Sequence, residues 1–226
     1  MDREQKETNS LHKSVEQFVL RRRRALLVCF AGVLAAAVAV CIAAGISDAG
    51  KEKGLAAIDS AEYALTAHSE GISAEDEAVR LSKAEEAVAP YLLKKGIVGI
   101  RANMLAADIA VRKNDFSKAL ECYARAAGIS RASYTYALCM YNAGVCCEEL
   151  GRSSDAVTYY DAASSAKDFY LAARAVFSSG RVSESAGDYK KASEYYQKAV
   201  DLYADDEWAD VSRSRLISLK ASGKID

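Results

Sequence analysis

Small and aromatic residues recur at a fixed spacing through the second half of the chain. Each copy begins with a glycine or alanine, has an alanine twelve positions later, a tyrosine four positions after that and a further alanine three positions on. The three copies are Ala107, Ala119, Tyr123 and Ala126, then Gly144, Ala156, Tyr160 and Ala163, then Gly180, Ala192, Tyr196 and Ala199. A period of 36 to 37 residues is typical of helical hairpins that stack on one another.

The spacing assigns a packing role to each residue type. Gly144 and Gly180 fall within predicted first helices, where a missing side chain lets the second helix approach closely. The alanines serve the same purpose from the second helix, and the tyrosines fill the space around the crossing. Turn residues stand at Asn114 and Asp115, at Gly151 and Arg152, and at Gly187 and Asp188. The second helices are therefore predicted to begin at Phe116, Ser153 and Tyr189.

These residues resemble the tetratricopeptide repeat (TPR) family over residues 97–203, most closely from Gly180 to Ala199, which include the turn Gly-Asp-Tyr-Lys-Lys-Ala. The chain departs from the family where the first helix often carries a tryptophan, since Asn103, Met140 and Val176 stand there, and no proline closes the second helices. The resemblance implies an all-α solenoid whose first helices line a concave face.

An uncharged apolar run occupies residues 25–45, directly after four arginines at positions 21–24. At about 1.5 Å per helical residue the run covers the roughly 30 Å of a bilayer core. The arginines outweigh Lys51 and Lys53 on the other side of the run, so the positive-inside rule predicts that residues 1–24 are cytoplasmic. We therefore predict a single-pass inner-membrane protein with an extracytoplasmic (periplasmic) C-terminal domain.

Three other interpretations of the apolar run stay open. It could be a buried helix of a soluble domain, or a cleavable signal peptide with Ala43, Ala44 and Gly45 as small residues near the cleavage site. In the third, Cys41 is lipidated, although Val40 stands where a small residue normally precedes such a cysteine.

Two helical segments flank the repeats. Residues 46–96 are predicted to form a degenerate hairpin or N-terminal cap, with Ser73 capping its second helix and Pro90 kinking or ending it. Residues 204–226 are predicted to form a C-terminal capping helix that begins among acidic residues. Its Trp208 either closes the end of the solenoid or anchors a partner.

Composition and charge narrow the function. A net charge of -1 argues against nucleic-acid binding, and a single proline in an alanine-rich chain favours helices over strands. His12 and His68 fall on opposite sides of the predicted membrane, and the sequence has no phosphate-binding loop, nucleophile elbow or HExxH motif. We therefore expect no enzyme activity, no metal, no cofactor and no small-molecule substrate.

Four cysteines follow the apolar run in the predicted repeats: Cys122, Cys139, Cys146 and Cys147. Cys139 and Cys146 lie seven residues apart on one predicted helix, about 10 Å, which is too far for a disulfide. Cys122, on the preceding helix, could reach one of the others. The alternative is that these cysteines are small packing residues.

The resemblance also implies which side chains line the concave face. The candidate partner-binding residues are Arg101, Met104, Asp108, Tyr141, Val145, Arg174, Phe177 and Arg181. Stacking would align Met104, Tyr141 and Phe177 as an apolar stripe that suits an extended or helical apolar segment. The same three side chains could instead serve packing between repeats.

The predicted function is a membrane-anchored scaffold that binds proteins or peptides outside the cytoplasm, with a chaperone-like role for exported proteins. In plan it is similar to the ancillary subunit of the Sec translocon that carries a TPR domain. The alternative is a fixed structural subunit of an envelope complex, in which the concave face is permanently filled.

Overall fold

The computed structural model describes residues 2–67 and 71–226, and within the first helix the side chains of residues 20–25, 27–42 and 44–67. Over these residues the chain is helical, with turns and no strand. The helices are α1 (Asp2–Thr66), α2 (Ala74–Val88), α3 (Gly96–Arg112), α4 (Phe116–Ile129), α5 (Tyr136–Glu149), α6 (Ser153–Ser164), α7 (Ala172–Ser185), α8 (Tyr189–Leu202) and α9 (Glu207–Ala221). The prediction of an all-α solenoid is confirmed.

The chain divides into two compact units, Met1–Lys53 and Gly54–Asp226. Helix α1 belongs to both, because it continues without a break from Asp2 to Thr66. The sequence had suggested separate helices for the apolar run and for the first helix of the N-terminal hairpin. The intervening residues 46–53 contain no proline, and Gly50 keeps a helical backbone, so nothing stops the helix there. The proposed boundary at residue 45 stays a prediction.

The first unit carries the apolar run. Within the described residues, the segment Leu20–Thr66 is the one helix long and apolar enough to cross a membrane. The described apolar side chains of the run, among them Leu27, Phe30 and Leu34, are exposed within the unit. The length and composition of this exposed apolar run are compatible with a membrane span.

The second unit contains three helical hairpins, α3 with α4, α5 with α6, and α7 with α8. Phe116, Ser153 and Tyr189 begin the second helices, as the turn residues predicted. The turn residues Asn114, Gly151 and Gly187 all have positive φ angles, between 58° and 82°. Glycine adopts this conformation without strain, and asparagine tolerates it better than most other residues.

Close approach between the paired helices explains why the same spacing of small residues and tyrosine recurs in each copy of the repeat. A Cβ atom added to Gly144 would lie 2.7 Å from Cε1 of Tyr160, and one added to Gly180 would lie 2.7 Å from Cε1 of Tyr196. Both tyrosine rings are fully buried. The glycines therefore make room for the rings of the second helices, as the sequence predicted.

The alanine at the crossing of the second hairpin supplies a stability test. Ala156 is completely buried, so Ala156→Leu would force extra volume into a filled crossing. We expect the free energy of unfolding to fall by about 1 to 3 kcal/mol, as is usual for overpacked cores. Chemical denaturation should show this loss, whereas Lys190→Ala on the exposed face of α8 should change stability by less than about 0.5 kcal/mol. Equal stabilities of the two variants would contradict the packing of α5 against α6.

The N-terminal hairpin of the second unit combines the end of α1 with α2. Ser73 caps α2, with its Oγ accepting from the backbone N–H of Asp76 at 3.1 Å, as predicted. The helix ends at Val88 in a 3₁₀ turn, Ala89–Tyr91, that contains Pro90. The connection between these two helices lies partly outside the described residues.

The C-terminal helix α9 is capped by Asp206, whose carboxylate accepts from the N–H of Trp208 at 2.9 Å. Leu219 is buried and Leu216 and Trp208 are half-buried, so this helix covers the last hairpin. Val211, in the same helix, is exposed.

All six cysteines are free thiols. Cys122, Cys139, Cys146 and Cys147 are buried, and burial raises the pKa of the Cys139 thiol to about 12 and that of the Cys146 thiol to about 11. Neutral thiols of this kind pack as small apolar groups and react slowly.

Candidate functional site

A groove lies between the first helices of the second and third hairpins and the C-terminal helix. It holds a cavity of about 280 Å³ lined by side chains of α5, α6, α7 and α9. The lining includes five of the residues that the sequence predicted for the concave face: Tyr141, Val145, Arg174, Phe177 and Arg181. We call this cavity and a second one that adjoins it, with their linings, the α5/α7 groove.

Aromatic rings form the floor of the α5/α7 groove. The ring of Tyr141 lies 5.2 Å from that of Tyr160, and the ring of Phe177 lies 5.0 Å from that of Trp208 and 5.6 Å from that of Tyr196. Tyr141 and Phe177 are only 7% and 8% exposed. Each ring therefore packs into the domain with one face or edge and reaches the groove with a small remaining area.

Arg174 is the cation of this groove without a carboxylate partner among the described residues. Its Cζ lies 5.7 Å from the centre of the Tyr141 ring and 5.2 Å from the centre of the Trp208 ring. Cation–π contacts hold the guanidinium in place but leave its N–H donors free for an acceptor. The groove thus combines apolar walls with one available positive charge.

The other arginines predicted for the concave face are paired within the molecule. Arg181 donates to Glu148 at 2.6 Å. Arg101 lies 2.5 Å from Asp59 and 2.9 Å from Glu62, both in the last turns of α1. These ion pairs link the first helices of successive hairpins, α1 to α3 and α5 to α7, and leave less positive charge for a partner than the sequence suggested.

The pairing of Arg181 belongs to a repeated ladder of tyrosine, glutamate and arginine. The hydroxyl of Tyr160 donates to Glu148, which also accepts from Arg181 of the next hairpin. In the next step, Tyr196 donates to Glu184 at 2.7 Å, and Arg215 of α9 donates to the same carboxylate at 3.1 Å. Each step links one hairpin to the following element.

The second step of the ladder borders another cavity, of about 420 Å³, that shares Phe177 and Arg181 with the first. Glu184, Ser185, Tyr189, Tyr196 and Arg215 complete its lining. The two cavities together make the α5/α7 groove an elongated depression with paired charges along one side.

The three predicted residues of α3 lie apart from this groove. Arg101, Met104 and Asp108 line neither of its two cavities. Met104 is half-buried against the core, and Asp108 accepts a hydrogen bond from the Tyr123 hydroxyl. Burial raises the pKa of the Asp108 carboxyl, although that hydrogen bond acts in the opposite direction. A stripe running from Met104 to Phe177 stays a prediction.

The ladder makes the stability of the domain depend on pH. Partial burial raises the pKa of Glu184, but the bonds from Arg215 and Tyr196 outweigh it and hold the pKa below its ordinary value. Because the folded-state pKa is the lower one, this stabilisation is complete above the unfolded-state pKa and is lost as pH falls through the folded-state pKa. We expect the free energy of unfolding to fall below about pH 4. Glu184→Gln should flatten this dependence in denaturation curves recorded across that range, and an unchanged slope would contradict it.

Side chains that sequence reasoning did not assign to the site also line it. Trp208 forms part of its floor, and Arg215 completes the second ladder step. Both belong to α9, and the repeat pattern does not extend to this helix. Within the described residues no three His, Cys, Asp or Glu side chains lie close enough to hold a metal ion.

The fold and the repeat geometry are matched by known proteins. A family model described as tetratricopeptide repeat matches residues 104–168 and 148–207. These hairpins are tetratricopeptide repeats. The resemblance predicted from the sequence is confirmed, and repeat solenoids of this kind offer extended concave surfaces for binding.

A curated relative is the "TPR repeat-containing protein" of Treponema pallidum (strain Nichols), 30% identical over 130 residues. The match covers 58% of this chain and 54% of the relative, so the chain spans about half the length of that protein.

Two solved structures share the fold. Nearly identical TPR-like repeats of a candidate kinesin light chain from Podosopora anserina superpose with a TM-score of 0.57 at 11% identity, over 77% of this chain and 88% of that one. A Rap protein complexed with Competence and Sporulation Factor gives a TM-score of 0.50 at 26% identity, over 71% of this chain and 45% of that one. The first likeness concerns the fold alone.

Proposed function

We propose that this protein is a membrane-anchored TPR scaffold that binds apolar segments of exported or envelope proteins in the α5/α7 groove. The observation that carries the proposal is the combination of a concave aromatic surface with Arg174, a cation that has no carboxylate partner among the described residues. A groove of this kind fits a segment that inserts an apolar side chain and presents a carboxylate to the guanidinium.

The chemistry of the occupant follows from the lining. The cavity at Tyr141 and Phe177 has room for one or two side chains, and its walls are aromatic. Glu148 and Arg181 at its side neutralise each other, so Arg174 supplies the remaining positive charge of the lining and Glu149 a negative one. We therefore infer a partner segment with a large apolar residue close to an aspartate, a glutamate or a terminal carboxylate. The Rap structure, which holds its factor in a complex, is consistent with ligand binding by this fold.

The membrane part of the proposal rests on the apolar run of α1 and its arginines at positions 21–24. A positive flank on the N-terminal side favours retention of that side in the cytoplasm. We therefore propose that the TPR domain is extracytoplasmic, where exported and envelope proteins are its partners.

A topology experiment tests this placement. A reporter that is active only outside the cytoplasm is fused after Asp226, and we expect this fusion to be active. The full chain is expected to stay with membranes after carbonate washing. A reporter signal from the cytoplasm would show that the chain has the opposite orientation. Release of a soluble species that lacks residues 1 to about 45 would replace the anchor by a cleaved signal peptide.

Binding in the groove is tested by photo-crosslinking in cells. A photoreactive residue in place of Val145, on the rim of the groove, should capture segments rich in apolar and acidic residues, while one in place of exposed Thr158 on α6 should not. Arg174→Gln should reduce capture, since a charge-assisted hydrogen bond contributes about 1.5 to 3 kcal/mol.

The outcome also separates the two candidate roles. Many different exported chains crosslinked at Val145 would support a chaperone-like scaffold, whereas one or two constant partners would support a structural subunit of an envelope complex. Equal capture from Val145 and Thr158, or capture that Arg174→Gln leaves unchanged, would contradict binding in this groove.

A further inference from the structure

A second surface of the TPR domain is formed by the loops that connect successive hairpins. Tyr134 and Tyr170 lie in two of these loops, 36 residues apart, and are 84% and 76% exposed. Three residues before each tyrosine stands a cation, Arg131 or Lys167, again separated by 36 residues. Packing inside the repeats does not require this second periodic pattern, because all four side chains point away from the core.

The preceding loop, before α3, continues the pattern with similar chemistry. Leu93 is 87% exposed and is followed by Lys94 and Lys95. We call the three loops, residues 92–95, 130–135 and 165–171, the loop edge. Each of them presents at least one basic residue beside an exposed apolar or aromatic side chain.

Shared cavities place the three loops side by side. One cavity of about 380 Å³ is lined by the first loop together with Arg125 and Ile129 at the end of α4, where the second loop begins. Another, of about 700 Å³, is lined by residues 131–138 of the second loop and α5 and by residues 166–170 of the third. The loop edge is therefore a continuous strip with two depressions.

The backbone of the loop edge is held by side-chain hydrogen bonds. Buried Asn103 donates through Nδ2 to the carbonyl oxygen of Leu92 and to that of Gly99, both at 2.8 Å. In the second loop, the hydroxyls of Ser133 and Thr135 lie 2.8 Å apart, and Thr135 is buried. The exposed side chains are thus displayed on an ordered frame.

The cations of the loop edge are largely available. Among the described residues Lys94, Lys95 and Arg131 have no ion-pair partner, and Lys167 has only its neighbour Asp168, 4.0 Å away. The next connecting loop has the opposite charge, with Asp205 and Asp206 before α9. The positive strip consequently begins at the first loop, next to the N-terminal hairpin, and ends at the third loop.

The chain enters the TPR domain at this same edge. A Cβ atom added to Gly54 would lie 2.8 Å from Cγ1 of Val98 and 3.4 Å from the ring of Tyr91, on either side of the first loop. Gly54 stands only nine positions after Gly45, the last residue of the apolar run. Even a fully extended chain of this length spans at most about 30 Å, so a membrane holding the run would keep Gly54 within that distance.

We propose that the loop edge binds the anionic lipid headgroups of the membrane in which the chain is anchored. Tyrosine is enriched at membrane interfaces because its ring enters the headgroup region while its hydroxyl stays hydrated. Basic side chains near an anionic leaflet gain electrostatic attraction, and the short tether keeps the local lipid concentration high. The inference rests on the proposed membrane anchor, but it concerns a surface separate from the α5/α7 groove.

The test uses the full chain in lipid nanodiscs, with Cys29→Ala and Cys41→Ala as the background so that the exposed thiols of the apolar run are removed. A fluorophore is attached at Tyr134→Cys or Tyr170→Cys, and at Ala186→Cys as the matched control. Ala186 follows the far end of α7, about 20 Å from the loop edge for a 14-residue helix. The readout is quenching by a spin label carried on lipid headgroups.

We expect strong quenching at positions 134 and 170 and little at 186 in nanodiscs rich in phosphatidylglycerol. Phosphatidylcholine or high salt should reduce it, because screening removes the attraction. Replacing Lys94, Arg131 and Lys167 together by glutamine should lower the ratio of docked to undocked domain on the order of a hundredfold, at about fivefold for each charge. An unchanged melting temperature of this variant would show that the loss is not due to unfolding.

Other outcomes would overturn the proposal. Equal quenching at 134 and 186 would show random tumbling on the tether, and quenching that ignores lipid charge would exclude anionic headgroups. Protection of positions 134 and 170 without quenching, observed only in cell membranes, would assign the loop edge to a protein partner. Failure of the full chain to enter the bilayer would contradict both the membrane anchor and this inference. Crosslinking at Val145 would still test partner binding in the α5/α7 groove independently.

Discussion

Phe177→Ala is expected to lower the free energy of unfolding of the TPR domain by about 3 to 4 kcal/mol, within the range for aromatic residues truncated in cores. The ring is 8% exposed and packs against Tyr196 and Trp208, with ring centres 5.6 and 5.0 Å away. Its removal would leave a void between α7, α8 and α9 that rigid helices cannot close. Chemical denaturation monitored by helical circular dichroism would measure the loss.

Val145→Ala is the matched control in the same groove. Val145 is 37% exposed and lies on the rim, so we expect its truncation to cost less than about 1 kcal/mol. Similar stabilities of the two variants would show that the Phe177 ring is not part of the core. If Phe177→Ala destabilises the domain as expected, partner affinity must be compared per folded molecule, because unfolding alone would reduce capture.

The hairpins could be predicted because their sequence signals are local. Asn114, Gly151 and Gly187 mark turns by their tolerance of positive φ, and the second helices begin two residues later in each repeat. Gly144 and Gly180 mark the crossings, because a side chain there would meet a buried tyrosine ring. Signals of this kind depend on steric rules that hold in any context.

The candidate site was harder to predict, because charge pairing depends on distant residues. The sequence predicts Arg181 as a partner-binding residue, but Glu148, 33 residues earlier, pairs with its guanidinium. Arg101 pairs with Asp59 and Glu62, about 40 residues earlier in α1. The repeat register gives the face on which each arginine lies, whereas only the packed structure shows which acids lie opposite. Arg174 remained available because its guanidinium lies over the rings of Tyr141 and Trp208 and forms no ion pair among the described residues.

The junction between the N-terminal hairpin and the first TPR carries a further constraint that the repeat pattern did not reveal. The pattern placed Ala107 at the first helix crossing and gave Gly99 no role. In the structure Gly99 lies in the first turn of α3, directly against the loop that precedes this helix. Asn103, one turn later, bonds to the Leu92 and Gly99 carbonyls and fixes the loop there. No internal repeat duplicates this arrangement, so spacing alone could not find it.

Gly99→Ala is therefore expected to destabilise the domain by about 3 kcal/mol or more, at the upper end of overpacking effects. An added Cβ would lie 1.8 Å from the carbonyl oxygen of Lys94 and 3.1 Å from Cδ1 of Ile129. The first of these neighbours is backbone, which cannot rotate away, so the loop would have to shift and Asn103 would lose its bond to Leu92. The free energy of unfolding from urea titration measures the cost.

Gly128→Ala is the control, because the same substitution at this position should raise the free energy of unfolding instead of lowering it. Gly128 lies within α4, and nothing is within 4 Å of an added Cβ. Alanine has the higher helix propensity and restricts the unfolded chain, so this variant should be more stable by up to about 1 kcal/mol. The two variants should consequently differ by about 4 kcal/mol despite their identical chemistry. A destabilisation by Gly99→Ala of no more than about 0.5 kcal/mol, the size of surface effects, would mean that the loop before α3 is free to move. That result would also contradict an ordered backbone in the first loop of the loop edge.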